Sequence, residues 1–125
     1  MALSETAVVG FRSILIASLL GVMLLSTVEL TDPLITSVND KLEHVLAFVY
    51  LAFLLDFSFP NNRFNLSKVF MLLAYGMLIE VIQYFIPYRT FSFFDVLADG
   101  FGIILYVLFV PALKRLPGLE LRWRE

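Results

Sequence analysis

Four apolar runs of close to 20 residues each, separated by helix breakers, leave this chain few ways to fold. They extend from about Phe11 to Leu30 (FRSILIASLLGVMLLSTVEL), Leu42 to Phe59, Val69 to Ile86 (VFMLLAYGMLIEVIQYFI) and Phe91 to Leu113 (FSFFDVLADGFGIILYVLFVPAL). An α-helix rises 1.5 Å per residue, so about 20 apolar residues cross the roughly 30 Å hydrocarbon layer of a bilayer. Asp32-Pro33, Pro60-Asn61-Asn62 and Pro87 fall between the runs and mark turns. Loops this short make successive helices antiparallel neighbours. The interiors are apolar on every side, where a soluble bundle would show a polar stripe at helical period. Composition agrees: 60% of the residues are hydrophobic and 16% charged, against about half and a quarter in soluble domains. The expected fold is all-α: one domain over residues 1–125, a polytopic membrane protein built as a bundle of four transmembrane helices with short loops.

Several function classes drop out. The chain has no cysteine, which removes disulfides, thiolate metal sites and cysteine nucleophiles. It has no basic run, so nucleic acid is not an expected partner. The opening MALSETAVV carries no Lys or Arg, so the first run is read as a retained span rather than a cleaved signal. Arg12, Arg63, Lys68, Lys114, Arg115, Arg122 and Arg124 fall on one side of a four-span arrangement, and only Lys41 and Arg89 on the other. The positive-inside rule then places both termini in the cytoplasm. The tail LKRLPGLELRWRE reads as a solubilising extension, with an interfacial anchor at Trp123 as the other reading.

Ionisable residues inside spans are costly and by default mark function or buried pairing. Glu80 and Gln83 lie in the third run, Asp95 and Asp99 in the fourth, and His44 opens the second. The topology brings the start of span two, the end of span three and the start of span four to one face, which the charge rule makes external. Asp40, Lys41, His44, Glu80, Gln83, Arg89, Ser92, Asp95 and Asp99 therefore converge. From the helical rise, Glu80 lies roughly 9 Å and Asp99 roughly 12 Å below the outer edge. The expected picture is a polar funnel with two carboxylates near its floor. Ser92, Asp95, Asp99 and Gly102 form one stripe at steps of three, four and three. Gly102 extends it without a side chain, and Gly76 lies one turn below Glu80; both are structural positions that allow close helix approach. Asp40 is expected to cap span two. Asp56 and Glu29 read as interfacial, Glu43 as solvated, and Phe91, Phe93 and Phe94 as an aromatic belt.

Taken in order, DKLEH before an apolar helix, GMLIEVIQYF, then RTFSFFDVLADGFG resemble the VanZ-like family of small bacterial membrane proteins. The resemblance covers residues 40–102, and one position departs from it: the family more usually has Asn where this chain has Asp99. It implies residence in the bacterial cytoplasmic membrane and a cell-envelope role. The family takes its name from a protein linked to low-level resistance to the glycopeptide teicoplanin.

Three mechanisms fit the converging residues. In the first, an enzyme, Lys41, Gln83, Arg89 and Ser92 bind an anionic headgroup, and the catalytic set is His44, Glu80, Asp95 and Asp99. His44 serves as general base or nucleophile, and Glu80 or Asp99 orients it. Lipid or lipid-linked envelope phosphoesters suit a site open to both lipid and the external face. In the second, the same groups bind a lipid or glycopeptide without turnover. In the third, they form a satisfied network that only locks the helices together. A metal site built on His44 and the acids is set aside because Lys41 and Arg89 would repel the ion, so no metal and no cofactor is expected. Membrane lipids are the expected partners. A homodimer stays open, since Gly21 lies within a span. The reading adopted is a functional pocket over a pure network, because ionisable groups inside a membrane are expensive.

Overall fold

The computed structural model describes residues 2–27, 37–87 and 92–124, without the side chains of 37–40. It is all-α. Helices α1 (Glu5–Thr27), α2 (Ser37–Ser58), α3 (Leu66–Tyr84) and α4 (Phe93–Leu113) are followed by a 3₁₀ helix, Leu119–Trp123. Capping explains where two of them begin. Helix α1 starts before its apolar run because the Ser4 hydroxyl accepts from the Ala7 N–H at 3.1 Å. Asn65 does the same for α3, accepting from the Lys68 N–H at 3.4 Å. Ser92 holds an extended backbone before α4 and leaves its side chain out of the cap.

Among the described residues, α1, α3 and α4 are long and apolar enough to cross a membrane. Helix α2 is not in that set, since Lys41 and Glu43 near one end and Asp56 at the other confine its uncharged stretch to residues 44–55. It is instead the central element. It packs most extensively on α4, then on α1, and also touches α3. Phe48, Leu51, Ala52 and Leu54 through Ser58 are buried. Much of the apolar surface of α2 thus answers to protein neighbours, although Leu42, Leu46 and Tyr50 face outward, as do Ile16, Leu20 and Leu24 on α1 and Ile104 and Leu108 on α4. Close packing of α2 on α4 depends on Gly102. A Cβ there would strike the Val45 carbonyl oxygen and lie 3.1 Å from Phe48 Cβ.

Two expectations are corrected at the end of the bundle where α2 finishes. Asp56 is not interfacial but fully buried. The tail is not a solubilising extension, because its 3₁₀ helix folds back and inserts Arg122, 6% exposed, beside Asp56. The Asp56 carboxylate accepts from Arg122 Nη2 at 2.7 Å, Lys68 Nζ at 3.0 Å and the Tyr106 hydroxyl at 2.6 Å. The two cations also donate to the carbonyls of the loop that follows α2. Arg122 reaches Pro60 O at 2.8 Å and Asn62 O at 2.7 Å, and Lys68 reaches Asn62 O at 2.8 Å. Arg12 closes the same end from α1, donating to Ser58 O at 2.8 Å with its guanidinium over the Phe59 ring. Burying a carboxylate is tolerable only with such pairing and hydrogen bonding.

Candidate functional site

At the opposite end, α2 begins, α3 ends and α4 begins. Lys41 and His44 lie three residues apart on α2, and Asp95 and Asp99 four apart on α4, so each pair shares a helix face. The Gly102–Val45 approach brings these two faces close enough for short side chains to meet. His44 Nδ1 lies 2.7 Å from Asp99 Oδ1, and His44 Nε2 lies 3.7 Å from Asp95 Oδ2. Lys41 Nζ bonds Asp95 Oδ1 and sits 3.4 Å from the Ser92 hydroxyl. From α3, Glu80 Oε2 accepts the Ser92 N–H at 3.1 Å, which ties the end of one helix to the start of the next. Asp99 Oδ2 occupies the space a Gly76 side chain would fill, so this glycine makes room for the acid that holds the imidazole.

Exposure grades from rim to floor. The Lys41 side chain is 35% exposed, His44 13%, Asp95 5% and Asp99 0%. Glu80 is also fully buried, and its Oε1 has no hydrogen-bond partner among the described residues. Burial thus increases in the order expected from helical rise, with Glu80 and Asp99 the most buried of the cluster. Among the described charged groups three carboxyls, Glu80, Asp95 and Asp99, face one ammonium, Lys41.

One of the expected binding residues stands apart from this cluster among the described contacts. Gln83, one turn beyond Glu80, donates from Nε2 to Ser26 O at 3.0 Å and so fastens α3 to the end of α1. No motif singled out Ser26, whose backbone carbonyl leaves no mark in a sequence. Arg89 lies outside the described residues, as do Glu29, Phe91 and the Asp40 side chain. Glu43 is exposed, and Phe93 and Phe94 face outward at the rim. Gly21 lies on an open part of α1, where a Cβ would meet nothing within 4 Å.

Chemically, the cluster can do two things. An imidazole anchored at one nitrogen by a carboxylate presents the other in a fixed orientation, suited to proton exchange or to ligation. The rim ammonium and the Ser92 hydroxyl can receive an oxyanion. His44, Glu80 and Asp95 each place one potential metal-ligating atom within 4.8 Å of the other two.

Compared with known proteins, residues 6–114 match the family model VanZ/LLP1. The match runs from the first turn of α1 through the last of α4, beyond the 40–102 stretch whose motifs carry the resemblance. No curated protein and no solved structure matches the chain.

Proposed function

This chain belongs to the VanZ/LLP1 family, and from that premise we propose that it works in the bacterial cytoplasmic membrane as a receptor for an anionic lipid or lipid-linked envelope precursor. In this reading the chain crosses the bilayer four times with both termini in the cytoplasm, and the His44 cluster opens to the external face. The ligand phosphate meets Lys41 and Ser92 at the rim, and its acyl chains lie along the apolar outer faces of α3 and α4.

The observation that carries the reading is Glu80, fully buried, with Oε1 lacking a hydrogen-bond partner among the described residues beneath a rim that is only partly closed. A buried polar atom without a partner costs about 1–3 kcal/mol, and more if charged. A network kept only to lock helices would satisfy that atom, as the network around Asp56 does. A hydroxyl or ammonium donor on the ligand's headgroup, carried in past Lys41, would supply the missing partner. The Asp99–His44 contact favours a catalytic form of the same reading, in which His44 takes a proton from a water that attacks the phosphorus and returns it to the ester oxygen whose bond to phosphorus breaks.

The test is native mass spectrometry of the purified chain released from micelles containing equal anionic and zwitterionic phospholipid. The expected result is one retained anionic lipid on the wild type and a several-fold loss of it in Lys41→Gln. Equal retention of both lipids by the wild type would end the proposal. Phosphorus NMR of the same mixture separates turnover from binding. A new phosphate resonance, abolished in His44→Gln, marks an enzyme; an unchanged spectrum with lipid bound marks a receptor.

A further inference from the structure

We propose that His44, Glu80 and Asp95 form a site for one divalent cation of the zinc or manganese type, and that this ion bridges the pocket to its anionic ligand. The bridging role rests on the phosphate reading above, whereas the ion site stands on the side chains alone.

The three residues come from three helices, and each places a ligating atom within 4.8 Å of the others. Metal bonds of about 2.1 Å put neighbouring ligands roughly 3–3.5 Å apart, so closing on an ion asks for side-chain movements of about an ångström. Glu80 supplies an observation independent of the clustering. Its Oε2 is held by the Ser92 N–H, and the oxygen left over, Oε1, is buried and lacks a hydrogen-bond partner among the described residues. Asp95 lies within hydrogen-bonding reach of Glu80, so the two acids need either a shared proton or a cation between them.

His44 is oriented for the same task. Asp99 Oδ1 takes Nδ1 at 2.7 Å, while Nε2 is turned toward Asp95 Oδ2. With the proton on Nδ1, the Nε2 lone pair faces the acids. Metal-binding histidines characteristically have a carboxylate on the far nitrogen, which fixes the tautomer and the ring plane. Asp99 is therefore a positioning residue rather than a ligand.

A divalent ion gives the neighbouring carboxyls Glu80 and Asp95 a shared counter-charge. Lys41 does not block it, because Nζ engages Oδ1 of Asp95 and not the Oδ2 that faces His44, and it stands at the rim. One imidazole with two carboxylates suits zinc or manganese, and three protein ligands leave a position open for water or a phosphate oxygen.

The experiment uses the full chain in detergent, stripped with EDTA, dialysed and titrated with Mn²⁺ alone under electron paramagnetic resonance. One ion per chain is expected, with an imidazole nitrogen coupling in the echo modulation. Glu80→Gln should weaken binding at least tenfold, and Asp99→Asn by about 10- to 100-fold with the nitrogen coupling kept. Wild-type protein that binds no Mn²⁺ or Zn²⁺ more tightly than about 1 mM overturns the site, as does a bound ion without nitrogen coupling. Lipid retention with and without EDTA separates the two proposals. Loss of anionic lipid on chelation supports the bridge. Lipid retained equally without metal removes the bridge and leaves the receptor reading. Metal bound with no lipid preference keeps the site and removes the receptor.

Discussion

Replacing Arg122 by alanine tests whether the C-terminal tail is part of the fold. The guanidinium makes four contacts: Nε to Asp56 O at 2.7 Å, Nη1 to Pro60 O at 2.8 Å, and Nη2 to Asn62 O and Asp56 Oδ1, both at 2.7 Å. Removing one partner of a buried ion pair costs about 3–5 kcal/mol. Asp56 keeps Lys68 and Tyr106, so the lower end applies, about 3 kcal/mol, or on the order of a hundredfold in the folded-to-unfolded ratio. Arg122→Lys should recover only part of this, since an ammonium keeps the charge but cannot fork to four acceptors. The next residue is the reporter. Trp123, the single tryptophan, stands edge-on to Phe57 at 5.5 Å and next to the Lys114 ammonium at 5.7 Å. Undocking the tail should shift its emission to the red, and titration with SDS in mixed micelles should show the earlier unfolding midpoint. An Arg122→Ala protein with unchanged emission and a stability change below about 0.5 kcal/mol would refute the docked tail, since that is the size of an ordinary surface substitution.

Other substitutions sort the remaining contacts. Gly102→Ala must push against the Val45 backbone carbonyl and should cost about 1–3 kcal/mol in the same titration, while Gly21→Ala, with nothing in the way, should be neutral or stabilise by up to about 1 kcal/mol. Gly76→Ala meets the Asp99 carboxylate and should displace it from His44, read as a change in the imidazole ring resonances by NMR and a loss of about 1–3 kcal/mol. Lys41→Gln removes a partly exposed ion pair and should alter stability by less than about 1 kcal/mol while lipid retention falls. Cysteines at Asn39 and Asn61 test orientation in cells: an impermeant thiol reagent should label 39 and spare 61, and the reverse would invert the proposed topology.

Much of the helical plan, and most of the pocket, could be read along the chain. Breakers such as Pro60-Asn61-Asn62 stand out in an apolar sequence, and an acid such as Glu80 in an apolar helix has few innocent explanations. Asp56 shows where that reading stops. At the end of an apolar run, depth along one helix says interfacial, and only a tail 66 residues away makes the site an interior. Gln83 shows the same limit within the pocket itself. Its spacing from Glu80 pointed to the cluster, but the carbonyl of Ser26 on α1 takes its amide. The central place of α2 was equally hidden, because an apolar face packed on protein and one packed on lipid can have the same composition.

The two ends of the bundle solve one problem differently, and the contrast bears on function. Both bury carboxylates, and desolvation penalises each of them alike. At the Asp56 end both carboxylate oxygens are taken, Oδ1 by two cations and Oδ2 by a phenol, and the rest of each cation is spread over loop carbonyls. Among the described residues Glu80 Oε1 has no hydrogen-bond donor, though Lys41 and His44 stand within the same cluster. Closing that end with one more donor, as Arg122 closes the other, would have removed the cost. The place of Oε1 beneath a rim where Lys41 is still a third exposed fits a site completed by a ligand or ion from outside. The tightly paired Asp56 end gives the helices their fixed spacing, and that spacing is what lets the His44 end hold an incomplete set of ligating groups in place.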